Sequence, residues 1–395
     1  MKKTLIALAA VAATGAAFAQ SAVTLSGTFD LSAQNAKNDV ANVSTITKNG
    51  MASSRIQFAG TEDLGGGMNA NFTCDTTLSP NSGVAYAAVG GTAATATTSF
   101  CDRIGLVGVG GTAGRIDLGG DYTPMFRVTG IADPFGTNGV GSWYNLGGVI
   151  ARGLTLDTTS ISSTSTYLIG ATNTSLANPW YSGAVSAASG ARATESVASV
   201  NAARANNTIT YSTPVFSGVQ AVVMYMIDGN ANTNTTGKLG AGSSFRLRYD
   251  AGPVTVALGA QSIKHAMTTT TTANLGSTIL AGSYDFGIAK ATFGYQTQKL
   301  SSLKAKDTIL GLIVPMGANT IKATYSTKSV DTSNNTGEFG ASQIALGISH
   351  ALSKRTDVYG QYARVSNDAN AQYGVMTPTA GQSALAWQIG FRHAF

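Results

Sequence analysis

Basic side chains recur at every second position of several short segments, and this spacing could support anion binding. Arg246 and Arg248 alternate with Phe245, Leu247 and Tyr249 in "FRLRY". Guanidinium groups stay protonated at any relevant pH and donate a fork of hydrogen bonds to phosphate or carboxylate. We place further basic residues on the same kind of polar strand face, namely Arg55, Arg103, Arg115, Lys290, Lys322 and Arg392.

Other chemistries find little support in the residue types. We place His265 in a loop, His350 at a short turn and His393 on an apolar face near the rim, and none belongs to a Ser/His/acid arrangement. The Gly-rich segments 62–67 and 110–114 precede no helix and therefore do not fit phosphate-binding loops. We expect no cofactor and no metal site, and the modest, dispersed positive charge disfavours nucleic-acid binding.

The two cysteines, Cys74 and Cys101, are separated by a stretch rich in Gly, Ala and Thr. An even number of cysteines in an oxidising compartment is compatible with one disulfide, which would tie down this stretch as a hairpin loop. Two free thiols are the alternative, because a pair of cysteines forms no recognisable framework. We favour the disulfide.

The composition differs from that of an average soluble domain. Charged residues make up 11% of the 395 residues, and there are 47 Gly but only 8 Pro. That charged fraction is less than half of the usual quarter. Mean hydropathy is only +0.09, and apart from the N-terminus no apolar run is long enough for a membrane helix. Low charge without apolar runs predicts strands in which apolar and polar residues alternate.

Alternation sorts the side chains onto two faces. In "IKATY" (321–325), Ile321, Ala323 and Tyr325 oppose Lys322 and Thr324. A soluble sandwich would also alternate. Three further features favour lipid outside and water inside: charges at mid-strand on the polar face, aromatics at the ends of the apolar face, and an export signal. Because sheet edges cannot be exposed in hydrocarbon, the strands must close into an all-β transmembrane barrel.

The last nine residues, "WQIGFRHAF", extend this pattern to the end of the chain. Trp387, Ile389, Phe391 and Phe395 fall on the face that we assign to lipid, with the aromatic residues at interfacial height. Arg392 falls on the lumen face. We therefore predict that the chain ends within a membrane-facing strand.

Short and long connections alternate along the chain. Seven short turns and eight long connections predict sixteen antiparallel strands, with the short turns on one rim of the barrel and the long loops on the other. The long connections include 36–50, 265–274 and 299–305. The longest, 122–206, is predicted to begin as a third loop folded into the barrel. It continues as an exposed insertion near 150–200, for which a separate small domain is the alternative.

The N-terminal segment "MKKTLIALAAVAATGAAFAQ" has the pattern of a signal peptide. Lys2 and Lys3 precede a short apolar stretch, and Ala17 and Ala19 provide the small residues that a signal peptidase requires. We predict cleavage after residue 19, which leaves 20–395 as the barrel domain of an exported protein. A buried core helix is the alternative.

Five segments resemble the trimeric general porins of Gram-negative outer membranes. They are 54–72 ("SRIQFAGTEDLGGGMNANF"), 204–218 ("RANNTITYSTPVFSG"), 282–296 ("GSYDFGIAKATFGYQ"), 352–362 ("LSKRTDVYGQY") and 391–395 ("FRHAF"). The similarity is greatest to an anion-selective branch of that family. The resemblance implies a homotrimer in outer-membrane lipid, with a sixteen-stranded barrel and a third loop that narrows each pore.

In the anion-selective branch, arginines of the barrel wall line the constriction, and the resemblance assigns this role to Arg55, Arg103 and Arg204. For the other candidate lumen charges we favour simple solvation of the lumen, and these are Arg115, Arg246, Arg248, Lys290, Lys322 and Arg392. Asp133 in "ADPFG" has two equal interpretations, a partner of wall arginines on the inward loop or a plain turn aspartate before Pro134.

We therefore expect an outer-membrane porin for passive diffusion of small hydrophilic solutes, anionic or neutral, with a preference for anions. Sixteen strands leave an aqueous channel rather than a filled interior. An adhesin or receptor that displays its long loops on a barrel is the alternative, motivated by the insertion near 150–200. An enzyme embedded in a barrel is a third hypothesis, and it would depend on His265 or His350.

Overall fold

The computed structural model describes residues 22–81, 100–148, 203–227, 240–266, 272–332 and 337–395. The predicted signal peptide, residues 1–19, lies outside these ranges, as does the predicted insertion near 150–200. The adhesin hypothesis rests on that insertion.

Strands form most of the described chain. In chain order they are β1 (Ala22–Lys37), β2 (Asn42–Lys48), β3 (Arg55–Gly65), β4 (Met68–Thr77), β5 (Ile104–Gly111), β6 (Gly114–Tyr122), β7 (Arg204–Ser212), β8 (Val219–Met226), β9 (Gly242–Ala251), β10 (Val254–Ala266), β11 (Thr272–Asp285), β12 (Lys290–Leu300), β13 (Leu303–Met316), β14 (Asn319–Thr332), β15 (Ala341–Ala351), β16 (Thr356–Asn367) and β17 (Ala384–Ala394). Two short helices, α1 (Phe126–Ala132) and α2 (Tyr144–Gly147), lie between β6 and β7. Among the described helices, none has the length and apolar character needed to cross a bilayer.

The strands close into a single antiparallel barrel because the first strand pairs with the last. Along one edge of β1, Asp30 lies opposite Arg392 of β17. Along its other edge, β1 pairs with β3 at Thr28 and with β2 further on. Since β2 and β3 are two segments of one barrel strand, the seventeen segments form sixteen barrel strands. The predicted fold class is confirmed.

The two faces of the wall follow the predicted alternation. Leu247 and Tyr249 of β9 are exposed on the outer surface, while Arg246 is only partly accessible. At the C-terminus, Ile389 is 64% exposed, whereas the neighbouring Gln388 is buried. Exposed apolar side chains at alternate positions favour hydrocarbon as the surrounding solvent.

The last residue completes the closure at the rim that carries the short turns. The backbone N–H of Phe395 donates to the carbonyl oxygen of Gly27 at 3.1 Å, and the Gly27 N–H donates to the Phe395 carbonyl at 3.0 Å. The rings of Phe29 and Phe395 lie 5.9 Å apart. The terminal phenylalanine is therefore part of the barrel seam.

Three predicted long loops are wrong in part. The 36–50 connection contains the paired segment β2, with only 38–41 left as the turn. The 299–305 connection is a two-residue turn between Leu300 and Leu303. The 265–274 connection shortens because β10 continues to Ala266, so that His265 belongs to a strand. Its side chain lies outside the described residues. The ends of these strands extend beyond the lipid-facing apolar belt of the barrel. Both faces of a strand can be polar there, so a run of polar residues does not show where the strand ends.

Residues 123–148 fold into the barrel as the third loop was predicted to do. Apolar side chains from α1 and from Trp143 pack against inward-facing residues of β10, β11 and β13, and the cluster consists of Met125, Val128, Ala132, Trp143, Ala257, Ile279, Ala281 and Ile309. This inward loop therefore covers one arc of the wall with an apolar contact.

Wall glycines allow the inward loop to approach closely. A Cβ atom added to Gly294 of β12 would lie 2.6 Å from the Cβ of Ala132. One added to Gly347 of β15 would lie 2.7 Å from the ring of Phe135. Both distances are far below van der Waals contact, so any side chain at these positions would push the inward loop into the pore.

Hydrogen bonds from the wall hold the backbone of the inward loop. Thr292 Oγ1 donates to the carbonyl of Ala132 at 2.7 Å, and Gln296 Nε2 donates to the carbonyl of Gly147 at 3.1 Å. Gln343 Nε2 donates to the carbonyls of Gly141 and Ser142 at 3.2 and 3.0 Å. Buried carbonyls need hydrogen-bond partners. Side chains of the barrel wall supply these partners to the inward loop.

Candidate functional site

Five neighbouring barrel strands bring basic residues together on the arc of wall that faces the pore beside the start of the inward loop. The cluster contains Arg55 at the start of β3, Asp75 near the end of β4, Arg103 just before β5, Tyr122 at the end of β6 and Arg204 at the start of β7. The strand register places Asp75 beside Ile104 and Tyr122 beside Arg204. The three arginines that the resemblance implied are thus gathered into one cluster, which we call the arginine cluster.

Asp75 is the carboxylate at the centre of the arginine cluster. Its Oδ2 lies 3.2 Å from an Nη atom of Arg55 and 3.5 Å from Nε of Arg103. Asp75 is fully buried, the Arg103 side chain is 5% exposed and the Arg55 side chain is 40% exposed. Arg103 is therefore held in the wall, whereas Arg55 reaches into the accessible pore.

Tyr122 organises the other side of the arginine cluster. Its hydroxyl oxygen accepts a hydrogen bond from Arg103 and another from Arg204, the latter at 3.2 Å. The guanidinium carbons of Arg204, Arg127 and Arg103 lie 4.7, 5.4 and 5.8 Å from the centre of its ring. Such cation–π contacts stabilise positive charge without neutralising it. The ring also stacks on Phe126 of α1 at 5.3 Å, which links the arginine cluster to the inward loop.

The charges of the arginine cluster do not balance. The cluster contains three guanidinium groups, those of Arg55, Arg103 and Arg204, and one carboxylate, that of Asp75, which pairs with Arg55 and Arg103. This leaves a formal excess of two positive charges. The neighbouring Arg127 is neutralised, because one of its Nη atoms donates to both carboxylate oxygens of Asp121 at 2.7 and 2.9 Å.

A disulfide and two sets of local hydrogen bonds hold Arg103 in position. Cys74 and Cys101 are joined by a disulfide, which ties the two ends of the β4–β5 connection together at the base of the arginine cluster. The carboxylate of Asp102 accepts hydrogen bonds from the N–H and hydroxyl of Thr77 at 2.7 and 2.6 Å. The Arg103 N–H donates to the Asp75 carbonyl at 3.0 Å. The backbone beside the guanidinium is therefore tied to β4.

Three of the other candidate lumen charges are neutralised by acids. Arg115 lies 2.7 Å from Asp117, and Arg392 lies 2.7 Å from Asp357. Arg248 binds Asp250 at 2.6 Å. These pairs face the lumen but add little net charge to it.

The remaining three candidates have no carboxylate within ion-pair distance among the described residues. Arg246 donates to Gln220 Oε1 at 2.9 Å. Lys322 lies 5.9 Å from the ring of Phe135 on the inward loop, and Lys290 begins β12 on its inward face. They extend the positive charge of the lumen beyond the arginine cluster.

Asp133 shapes the inward loop. Its carboxylate accepts hydrogen bonds from the N–H groups of Phe135, Thr137 and Trp143 at 2.9, 3.1 and 3.0 Å, and from the Ser142 hydroxyl at 3.3 Å. Burial raises the pKa of Asp133, and the backbone hydrogen bonds act in the opposite direction. In the described part of the chain it pairs with no arginine, so the geometry agrees with the turn interpretation of Asp133.

Sequence reasoning missed the residues that connect the arginines. Asp75 has a signal in the sequence, because the alternation along β4 places it with Asn71 on the lumen face, opposite to exposed Phe72. Arg127 and Asp121 lie at the start of a loop that was predicted to fold inward. Tyr122 has no such signal, since its role depends on three arginines that are distant in sequence.

The histidines with described side chains contact neutral groups. Nδ1 of His350 lies 2.9 Å from Asn319 Oδ1, and Nδ1 of His393 lies 2.9 Å from Thr356 Oγ1. Within the ranges that the structure describes, no three His, Cys, Asp or Glu side chains are placed to bind a metal ion.

Comparison with known proteins shows the family to which the barrel belongs. The Gram-negative porin family matches residues 4–370 of the chain. This chain is a Gram-negative porin. It is 30% identical to outer membrane porin protein 32 of Delftia acidovorans over the full length of both chains.

Two solved structures show the same architecture. The anion-selective porin from Comamonas acidovorans superposes on the porin with a TM-score of 0.74, at 26% identity, and the match covers 95% of this chain and all of the other. OmpF of Salmonella typhi gives a TM-score of 0.61 at 11% identity, covering 94% and 97% of the two chains, and shows the fold alone. The porin is therefore an outer-membrane channel for passive diffusion of small hydrophilic solutes.

Proposed function

We propose that this porin favours anions among the solutes that it admits, and that Arg55, Arg103 and Arg204 set the preference. The observation that carries the proposal is the imbalance of the arginine cluster, which holds three guanidinium groups but a single carboxylate, that of Asp75, paired with Arg55 and Arg103. A solved relative at 26% identity is named an anion-selective porin, which supports the same direction.

The arrangement suits conduction better than tight binding. A low-dielectric wall focuses the field of its charges into the aqueous lumen and enriches ions of opposite sign. Arg55 is 40% exposed and can meet a passing anion, while the buried Arg103 contributes through its field. Arg246, Lys290 and Lys322, which have no carboxylate within ion-pair distance in the part of the chain that the structure describes, provide further weak contacts in series. Conduction requires that binding be weak enough for release. Neutral solutes pass without this attraction.

The test is the reversal potential of single porins in planar bilayers under a KCl gradient. The wild type should prefer chloride, and Arg55→Gln and Arg103→Gln should each reduce the preference. Arg248→Gln is a matched control, because it removes the same charge from a site already paired with Asp250 near the short-turn rim. A preference for potassium in the wild type at low salt would contradict the proposal.

We further propose that the porin assembles as a homotrimer in outer-membrane lipid and acts as a channel without catalytic activity. The resemblance to trimeric general porins supports the first statement. The second is supported by His350 and His393, which bond amide and hydroxyl oxygens rather than acids. Native mass spectrometry in detergent tests the oligomeric state, and a lipid-hydrolysis assay of His265→Ala and His350→Ala tests for activity.

We propose that residues 1–19 are removed on export, leaving 20–395 as the barrel domain with the insertion near 150–200 in its third loop. The pattern of basic, apolar and small residues at 1–19 supports this. The intact mass of the protein purified from outer membranes should match a chain that begins at Gln20, and a mass including the first nineteen residues would contradict it.

A further inference from the structure

The outer surface of the barrel carries a groove across β8–β13, near the rim that holds the long connections. The groove encloses about 630 Å³. Its floor consists of small outward-facing residues, namely Ala260, Ser262, Gly276, Thr278 and Thr297. At Gly276, an added Cβ would meet nothing within 4 Å. The floor thus leaves a depression in a wall that elsewhere projects Leu, Tyr and Phe side chains.

The two sides of the groove differ in chemistry. Val223 of β8 and Phe245 of β9 form an apolar side, whereas Lys299 of β12 with Lys304 and Lys306 of β13 forms a cationic side. The strand register joins the two sides in a continuous row across six strands, from Val223 through Phe245, Ala260, Thr278 and Thr297 to Lys306. Groove residues therefore lie side by side on the same face.

Three lysines lie close together on this side of the groove, with one acid, Asp331, beside them. Lys299 and Lys304 are directly opposite in the ladder between β12 and β13, and both are exposed. Like charges in this position repel and destabilise a sheet. Asp331 of β14 lies opposite Lys304 on its other side but forms no ion pair with it, and none of the three lysines has a salt bridge within the described residues. An external anion would relieve the repulsion.

The height of the groove on the barrel identifies the kind of anion. Two residues below the Thr297–Lys306 pair, towards the middle of the barrel, the same row of strands presents exposed Tyr295, Leu280 and Leu258. Two residues of strand correspond to about 7 Å. The lysines therefore stand just above the apolar belt, at the height of lipid headgroups, and the groove floor leads down into that belt.

We propose that this groove binds a phosphorylated anionic lipid of the outer leaflet. The lysine side holds the phosphate through Lys299, Lys304 and Lys306, and an acyl chain lies along the small-residue floor against Phe245 and Val223. The site is on the outer face of the wall, whereas the arginine cluster is on the lumen face. It therefore anchors the barrel in its membrane and takes no part in the passage of solutes.

The experiment is native mass spectrometry of the detergent-purified porin titrated with phosphatidylglycerol, and in parallel with phosphatidylcholine. The wild type should retain phosphatidylglycerol in preference to phosphatidylcholine. The triple variant Lys299→Gln, Lys304→Gln, Lys306→Gln should bind it on the order of a hundred-fold more weakly, since each lysine near an anionic headgroup contributes about 1 kcal/mol. Thr278→Phe, which fills the floor and keeps every charge, should weaken binding several-fold.

Three controls distinguish lipid binding from simple anion binding and from a misfolded barrel. Lys354→Gln with Arg355→Gln removes two charges at the opposite, short-turn rim and should leave binding unchanged. Millimolar inorganic phosphate should not displace the lipid, because it lacks the chain. Reversal potentials of the triple variant should equal those of wild type, which shows that its barrel is intact and keeps this test independent of the anion proposal.

Three results would overturn the proposal. The first is equal retention of phosphatidylglycerol by wild type and the triple variant. The second is full displacement of the lipid by inorganic phosphate, which would indicate a simple anion site. The third is dissociation of the oligomer in the triple variant or in Thr278→Phe, which would indicate that a second copy of the chain covers the groove.

Discussion

Removal of the central carboxylate by Asp75→Asn should increase the preference for anions. In the wild type, this buried carboxylate lies 3.2 Å from Arg55 and 3.5 Å from Arg103 and cancels one of three positive charges. Asparagine has almost the same shape and can still accept a hydrogen bond, so the side chains should stay near their present positions. The formal excess in the arginine cluster then rises by one charge.

The expected effect on selectivity follows from Coulomb's law. In water, one unit charge at roughly 4–8 Å changes the energy of a passing ion by about 0.5–1 kcal/mol. The change has opposite signs for anions and cations, so even the lower value alters their permeability ratio about five-fold. Stability should fall by about 3 kcal/mol, because the Arg103 side chain is buried and loses its counter-ion.

Reversal potentials in a KCl gradient measure this ratio directly. The shift in Asp75→Asn should be largest at low salt and small near 1 M, where the screening length falls to about 3 Å. Asp250→Asn is the matched control, because it removes a carboxylate from the Arg248 pair away from the arginine cluster, and its shift should be smaller. An unchanged reversal potential in Asp75→Asn, or a shift towards cations, would refute the role assigned to the arginine cluster.

Three further predictions concern the elements that hold the pore. Gly294→Leu should lower thermal stability by about 1–3 kcal/mol by displacing the inward loop, whereas Gly282→Leu, with its nearest neighbour at 3.6 Å, should have little effect in the same melting experiment. The double variant Cys74→Ser, Cys101→Ser should have a free energy of unfolding lower by roughly 3 kcal/mol. Its anion preference should also fall, because the disulfide restrains the backbone beside the arginine cluster. Melting temperatures and reversal potentials equal to those of the wild type would argue against this. Burial raises the pKa of Asp133, so stability should decline as pH rises from about 4 through that raised pKa, and pH-dependent melting of Asp133→Asn should lack this decline.

The sequence alone determined the barrel because its signal is local. In a strand, neighbouring side chains point to opposite faces, so Arg246 and Leu247 reveal lumen and lipid without reference to any distant residue. The same logic placed Arg392 inside and Phe391 outside at the end of the chain. Strand ends were harder to predict, because segments such as β2 stand above the apolar belt and look like loops in composition. Only pairing with β1 makes that segment a strand.

The convergence of the arginine cluster was decided by the tertiary structure. Residue types and the family resemblance nominated Arg55, Arg103 and Arg204, but Asp75 and Tyr122 join them only because closure of the barrel sets the register of five neighbouring strands. The sequence could show that positive charge faces the pore. It could not show which arginines are neutralised, because ion pairs depend on distances across the ladder, and a sequence records no such distances.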